Sequence, residues 1–152
     1  MILDAKLICS EAQSIAALNA NDTVLSDKSI DFGAAGTDSL GNTAVHDPGR
    51  GNNIGVLCQV TTACTGDSGA TVTVELVTAD NEALDSNLVV LQKTAAIAVT
   101  ALVAGYQFRF DGIPPGAAKR YVGFRYTNLT ADMTAGAITA GLVMDKQTTF
   151  VG

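Results

Sequence analysis

The segment Gly66-Asp67-Ser68-Gly69 has the residue order found around the nucleophile of trypsin-like proteases, and His46 and Asp47 lie upstream of it. That chemistry needs a serine oxygen hydrogen-bonded to a histidine, which an aspartate in turn orients. Those proteases use two β-barrels and spread the three residues over a far longer stretch of chain. Here only 22 positions separate His46 from Ser68. The segment therefore favours a polar hairpin turn, and we expect no enzymatic activity.

A second candidate is the loop 80–85, which gathers the carboxylates of Asp80, Glu82 and Asp85. Oxygen-rich loops bind calcium in some proteins, but this spacing differs from that of an EF-hand loop. Because the chain has one histidine, carboxylate pairs are the main remaining candidates for acid–base chemistry. A solvated acidic loop is the simpler interpretation, and we predict no metal and no cofactor.

The three cysteines, Cys9, Cys58 and Cys64, are odd in number and contain no CxxC pair. A single histidine cannot complete the usual mixed ligand set of a zinc site. The pattern predicts buried free thiols. A Cys58–Cys64 disulfide is the alternative, which a reducing compartment disfavours.

The main basic cluster is Lys119 and Arg120, together with Arg109 and Arg125. These cations could pair with nearby acids and promote solubility, or they could form an ionic patch that faces a partner. The net charge is −6, which repels phosphate, so we expect no nucleic-acid partner.

Hydrophobic residues recur with a period of two along most of the chain, as is typical of β-strands. In the clearest run, 71–78, Val72, Val74 and Leu76 point one way and Glu75 the other. The strands predicted from this pattern are 7–10, 23–25, 54–61, 71–78, 88–92, 96–100, 106–111, 121–127 and 138–144. The stretch 33–55 is weakly patterned and longer than most loops of compact domains.

Aromatic residues share one face of two predicted strands, where they are expected to form part of the core. They are Tyr106, Phe108, Phe110, Phe124 and Tyr126. Stacked rings on adjacent strands can also bind sugars or bases. Arg109 and Arg125 lie on the opposite faces of the same strands and are expected to point outward.

The composition indicates one globular β domain. The chain has 152 residues, of which 47% are hydrophobic and 16% are charged, against roughly 25% charged in a typical soluble domain. These values exclude intrinsic disorder and coiled coils, and no apolar run is long enough to span a membrane. The first residues lack the basic region of a secretory signal, so we expect synthesis in a cytoplasm.

Short, evenly spaced strands separated by Gly and Pro turns predict an all-β protein. The predicted fold is a jelly-roll-like two-sheet β-sandwich of about eight strands. Residues 1–152 are expected to form a single domain of this kind, with interface arms at the two termini. An immunoglobulin-type sandwich is the alternative fold.

Several short motifs follow one another along nearly the whole chain, and their order and spacing are informative. They are Met1-Ile2-Leu3-Asp4-Ala5, Ile30-Asp31-Phe32-Gly33, Asp47-Pro48-Gly49-Arg50-Gly51, 60–63, 78–80, 102–106, Ile113-Pro114-Pro115-Gly116, Lys119-Arg120-Tyr121 and 134–143. Through these motifs the sequence resembles the phage capsid cement (decoration) proteins, the family typified by the Bordetella phage decoration protein.

The resemblance implies a jelly-roll protein on the outer surface of an icosahedral phage head, with the phage major capsid protein as its partner. Binding across capsomer junctions of the expanded shell would stabilise the assembled lattice without catalysis. The resemblance also implies a homo-oligomer, a dimer rather than a trimer, made in the host bacterial cytoplasm. We expect no cofactor and no contact with nucleic acid or membrane.

The candidate contacts are the apolar chain ends and a set of cations. We expect the capsid or oligomer interface to include Met1, Ile2, Leu3, Arg50, Arg109, Lys119, Arg120 and Phe150. The apolar ends could also pack as edge strands within their own domain. A carbohydrate-binding, lectin- or adhesin-like virion module is the alternative function, and a hydrolase with a carboxylate pair is a third.

Overall fold

The computed structural model describes residues 4–44, 54–115 and 119–143, which form an almost entirely β structure. The strands are β1 (Ile8–Ser14), β2 (Thr23–Leu25), β3 (Ile30–Asp31), β4 (Gly36–Thr37), β5 (Thr43–Ala44), β6 (Gly55–Gly66), β7 (Thr71–Ala79), β8 (Val89–Lys93), β9 (Ile97–Ala98), β10 (Tyr121–Leu129) and β11 (Met133–Val143). Two 3₁₀ turns, Ala5–Leu7 and Val99–Ala101, complete the regular elements of these ranges. No helix in the described ranges is long and apolar enough to cross a membrane.

The long strands form two antiparallel sheets. The first sheet has the order β1-β11-β6, and the second has the order β2-β10-β7-β8, with β3 also pairing β10 and β9 also pairing β7. Residues 105–111, here called the edge segment, lie along the free side of β6. The Val60 amide donates to the Tyr106 carbonyl and the Phe108 amide donates to the Cys58 carbonyl, each at 2.9 Å.

The connectivity of these strands is that of a jelly roll. The eight segments β1, β2, β6, β7, β8, the edge segment, β10 and β11 can be numbered 1 to 8 in chain order. In this numbering the first sheet has the order 1-8-3-6 and the second has the order 2-7-4-5. Strands alternate between the two sheets in this way in the double Greek key of a jelly roll. The predicted all-β jelly-roll-like sandwich is confirmed.

The core lies between the two sheets and follows the period-two pattern. Val72, Val74 and Leu76 of β7 are fully buried, and Val122, Phe124 and Tyr126 alternate in the same way on β10. Phe108 and Phe110 of the edge segment are also buried, and the Phe110 ring packs edge-on to Phe124 with centroids 6.0 Å apart. The predicted aromatic core is confirmed for these four residues, while Tyr106 is half-buried.

Three local predictions need correction. The segment 106–111 is an irregular edge, because it makes an isolated bridge (Gln59 with Gln107) rather than a continuous ladder. The predicted strand 96–100 is a two-residue strand followed by a 3₁₀ turn. The loop at Gly66 to Gly69 is a turn but not a hairpin, since β6 and β7 belong to different sheets.

The weakly patterned stretch 33–55 contains a small ladder in its described part. Strands β4 and β5 pair over two residues each, and the Asp38 carboxylate accepts hydrogen bonds from the Leu40 and Asn42 amides at 2.9 Å. These bonds are those of an Asx-type turn, which closes the small hairpin. The remainder of the stretch, 45–53, lies outside the described residues.

Candidate interaction surface

The first sheet presents a face that is nearly free of charge. The exposed residues of β1, β6 and β11 are Glu11, Ala12, Ser14, Thr61, Thr62, Ala63, Thr65 and Thr134. Glu11 is the charged member of this set, and threonine is the commonest residue. We call these eight residues the threonine face.

Hydrogen bonds within the sheet hold several hydroxyls on and beside this face. The Thr65 and Thr134 hydroxyl oxygens lie 2.9 Å apart across β6 and β11. The Thr61 hydroxyl donates to the Ala137 carbonyl at 3.1 Å, and the Thr139 hydroxyl accepts from the Ala12 amide at 2.9 Å. Because these hydroxyls already have partners, covering the face costs less than burying free polar groups or charges.

The second sheet has a different outer face, on which ion pairs join neighbouring strands. Glu75 of β7 is only 4% exposed and contacts Arg125 of β10 and Lys93 of β8. Burial acts to raise the pKa of Glu75, but its hydrogen bonds to Arg125 and Lys93 outweigh burial, so the pKa lies below its ordinary value. The ion pairs of Glu75 therefore link three strands of the second sheet.

Two more ion pairs lie near the start of β10. Arg120 donates two 2.8 Å hydrogen bonds to the Asp31 carboxylate, and its guanidinium lies over the Tyr121 ring, 4.9 Å from the centroid. Arg120, with a smaller contribution from the Gly33 amide, lowers the pKa of Asp31 to about 2. Lys119 pairs with Asp80 at 3.2 Å and donates to the Asn87 carbonyl at 2.8 Å.

Comparison with known protein families identifies the chain. The Bbp16 family model matches residues 9–142, which is most of the sequence. The chain belongs to the Bbp16 family. Bbp16 is a Bordetella phage protein family, so the predicted relationship to phage proteins is confirmed at that level. No curated protein matches the sequence.

In this Bbp16-family protein, the predicted contact cations are distributed over both sheets. Lys119 and Arg120 are engaged with acids of their own chain, as one of the two sequence interpretations expected. Arg109 is exposed on the edge segment of the first sheet, and no acidic residue of the described chain pairs with it. Met1, Ile2, Leu3, Arg50 and Phe150 lie outside the described residues.

Of the other candidate residues from the sequence, those that the structure describes lie in a turn or a loop. Ser68 is exposed in the turn between β6 and β7, and His46 and Asp47 lie outside the described residues. In the acidic loop, Asp80 accepts from the Asn87 side chain at 2.8 Å and Asp85 accepts from the side chain of Asn81. Among the residues that the structure describes, no group of three or more His, Cys, Asp and Glu side chains is placed to hold a metal.

All three thiols of the Bbp16-family chain are free and buried, so the predicted free cysteines are confirmed and the Cys58–Cys64 disulfide is wrong. Burial raises the pKa of the Cys9 thiol to about 12 and that of Cys64 to about 11. Burial also raises the pKa of Cys58. Nucleophilic chemistry requires a thiolate, so these residues belong to the packing of the sandwich.

The threonine face was not among the sequence candidates. Its one sequence signal is the run Thr61-Thr62-Ala63, where small and polar residues follow the mostly apolar first half of β6. The pairing of β6 with β11 shifts register three times opposite residues 133–138. Bulges of this kind break the two-residue period and turn consecutive side chains outward.

Proposed function

We propose that this protein is a structural capsid cement (decoration) protein. It binds the outer surface of an icosahedral phage head and stabilises the expanded lattice of the major capsid protein. The observation that carries the proposal is the match to a Bordetella phage protein family over residues 9–142. The ordered motifs through which the sequence resembles capsid cement proteins support the capsid role, and the jelly-roll fold is consistent with it.

Such a protein acts by binding alone. A ligand that binds the assembled lattice but not separated subunits shifts the equilibrium toward assembly. Many modest contacts on one head reinforce each other, because a homo-oligomer bound at one site has a high effective concentration at the next. A dimer, which presents two equivalent faces, is the simplest form of this arrangement.

The threonine face is the surface that best suits contact with the lattice. Interface centres are depleted in charged residues relative to the rest of a protein surface, and seven of the eight residues of this face are uncharged. The second sheet carries the Glu75, Asp31 and Asp80 ion pairs. We therefore assign the threonine face to the capsid and the outer face of the second sheet around Asp31 and Asp80 to solvent.

The test is rebinding to expanded phage heads from which this protein has been stripped. The purified protein is expected to sediment with the heads, not to bind free major capsid protein, and to raise the temperature at which the heads disrupt. A protein that neither sediments with stripped heads nor changes their disruption temperature would contradict the proposal.

A matched pair of variants tests the assigned face. Thr62→Lys places a charge on the threonine face, and we expect at least about tenfold weaker binding to heads, or roughly 1.4 kcal/mol. Thr23→Lys makes the same change at an exposed position of β2 on the second sheet and is expected to bind like the unmodified protein. Equal binding by the two variants would place the contact elsewhere.

A further inference from the structure

The edge segment leaves a short row of backbone groups without partners. The Phe108 amide and the Tyr106 carbonyl point toward β6, because they bond Cys58 and Val60. Neighbouring residues of an antiparallel strand alternate, so the amides and carbonyls of Gln107 and Arg109 point away from β6. Within the described chain these four groups make no hydrogen bond, and both residues are exposed.

A groove lies beside Arg109 on this unpaired side. Its volume is about 360 Å³, and it separates the edge segment from the stretch 93–97 of the second sheet. Its lining includes the apolar Ile97, Tyr106 and Phe108, together with the charged Lys93, Arg109 and Asp111. A strand added to the edge would occupy this groove, with alternate side chains on its apolar lining.

The charges of the groove favour an acidic occupant. Arg120 and Arg125 both have carboxylate partners, whereas Arg109 has no acidic partner in the described chain. Lys93 adds a second cation that is 59% exposed, although it also contacts Glu75. Two cations against one aspartate make this groove positive in a protein whose net charge is −6.

The neighbouring edge is a poorer template for pairing. Strand β8 is the outer strand of the second sheet, and its pairing with β7 shifts register between Val90 and Gln92. Bulged edges of this kind are one way in which proteins prevent an extra strand from joining a sheet. The open groups of Gln107 and Arg109 are thus the better docking site on this side of the sandwich.

We infer that the edge segment accepts an extended segment of the capsid partner as an additional strand of the first sheet, with a carboxylate of that segment on Arg109. Strand addition draws affinity from main-chain hydrogen bonds and specificity from side-chain pockets. This inference rests on the proposed function. It assigns partner binding to the edge segment, which lies next to the threonine face.

The direct test is amide hydrogen exchange of the full protein, free and bound to expanded heads stripped of it. Binding is expected to slow exchange at Gln107 and Arg109 at least tenfold, because their amides gain partners. The Phe108 amide, already bonded to Cys58, is expected to change less. The edge strand Thr23–Leu25 of the second sheet is the internal control and is expected to exchange as before.

Substitutions test the charge contact of Arg109 and the backbone hydrogen bonding of the edge segment separately. Arg109→Glu reverses the charge and is expected to weaken binding to heads at least tenfold, while Lys28→Glu makes the same charge change at an exposed lysine outside the groove and is expected to bind normally. Gln107→Pro removes one outward amide without removing an internal hydrogen bond. Circular dichroism establishes whether each variant is folded. If Gln107→Pro does not fold, the binding of Arg109→Glu still tests the inference.

Each outcome bears on the inference. If the unmodified protein binds heads while Arg109→Glu also binds normally and the two amides exchange freely, strand addition is overturned and the proposed function stands. If the unmodified protein does not bind heads, both fail. If the two amides are already protected in the concentrated free protein and binding adds nothing, a second copy occupies the edge and the inference is overturned.

Discussion

At the scale of single residues, a tight packing constraint lies at Gly141, where the start of β1 crosses β11. A Cβ at this position would meet the Leu7 carbonyl oxygen and approach the Ile8 Cα to 2.9 Å. These are backbone atoms, so no side-chain rotation relieves the contact. We expect Gly141→Ala to lower the free energy of unfolding by about 2 kcal/mol, measured by urea denaturation.

The control for this prediction is Gly36→Ala. Its added Cβ would have no atom within 4 Å, and an unstrained Gly→Ala change is neutral or slightly stabilising. Equal destabilisation by the two substitutions would show that the close approach of β1 to Gly141 does not limit the fold.

A second residue-scale prediction concerns acid stability. The pKa of Asp31 is lowered to about 2 by Arg120 and the Gly33 amide, whereas an unfolded aspartate titrates near 3.9. The lowered pKa means that this pair contributes stability above about pH 4 and loses it as the pH falls toward 2. We expect Asp31→Asn to reduce the pH dependence of the unfolding free energy in that window.

Arg120→Gln removes the same ion pair from the other side. It is therefore expected to flatten the same part of the stability curve, measured by urea denaturation at a series of pH values. Two variants that both keep the full slope between pH 4 and pH 2 would show that the Asp31–Arg120 pair does not contribute to it.

At the scale of elements, Glu75 joins three strands of the second sheet. Its carboxylate is buried, its partner Arg125 is 30% exposed and its partner Lys93 is 59% exposed. Removing one partner of a buried ion pair leaves an uncompensated charge, whereas a mostly exposed partner contributes little. We expect Arg125→Met to cost about 2 kcal/mol of unfolding free energy and Lys93→Met less than about 1 kcal/mol.

Urea denaturation of the two methionine variants gives both values. Methionine retains much of the apolar stem of either cation, so the comparison isolates the charged head groups. If Lys93→Met proves the more costly change, Lys93 rather than Arg125 is the main partner of Glu75.

The elements also show which parts of the fold are encoded locally. Strands β7 and β10 were predictable because Val72, Val74, Phe124 and Tyr126 alternate without interruption. The edge segment alternates as well, but its short backbone pairing with β6 depends on a distant strand. The phage family relationship was predictable from ordered motifs, whereas the partner of Lys119 was not, because Asp80 lies 39 positions away along the chain.

The threonine face was not predictable for a different reason. Thr61, Thr62 and Ala63 are exposed in succession, and a regular strand would bury every second one of them. The register shifts against β11 turn them outward. Register is a property of the strand pair, so the small and polar run Thr61-Thr62-Ala63 does not by itself show which side chains turn outward. The candidate surface therefore required the assembled sheet.

At the scale of the whole molecule, the chain crosses repeatedly between the two sheets. The connections from β1 to β2, from β6 to β7 and from β10 to β11 each pass from one sheet to the other. Neither sheet is a continuous stretch of sequence, so neither can separate from the other without losing the core between them. We therefore expect a single cooperative unfolding transition, as is usual for domains of this size.

The three thiols provide a probe of that cooperativity. Cys9, Cys58 and Cys64 all lie on strands of the first sheet, where they are buried and free. Burial holds the pKa of Cys9 at about 12 and that of Cys64 at about 11, so at pH 8 almost no thiolate is available for reaction. The native protein is expected to resist thiol reagents at this pH and to expose all three thiols on unfolding.

Thiol labelling in increasing urea should therefore have the same midpoint as the loss of far-ultraviolet circular dichroism, which reports on both sheets. The physical reason is that a reagent reaches these sulfurs only when the first sheet leaves the core, and the crossing connections make the second sheet unfold with it. A thiol that reacts at a urea concentration where the dichroism is still native would show that the first sheet opens independently.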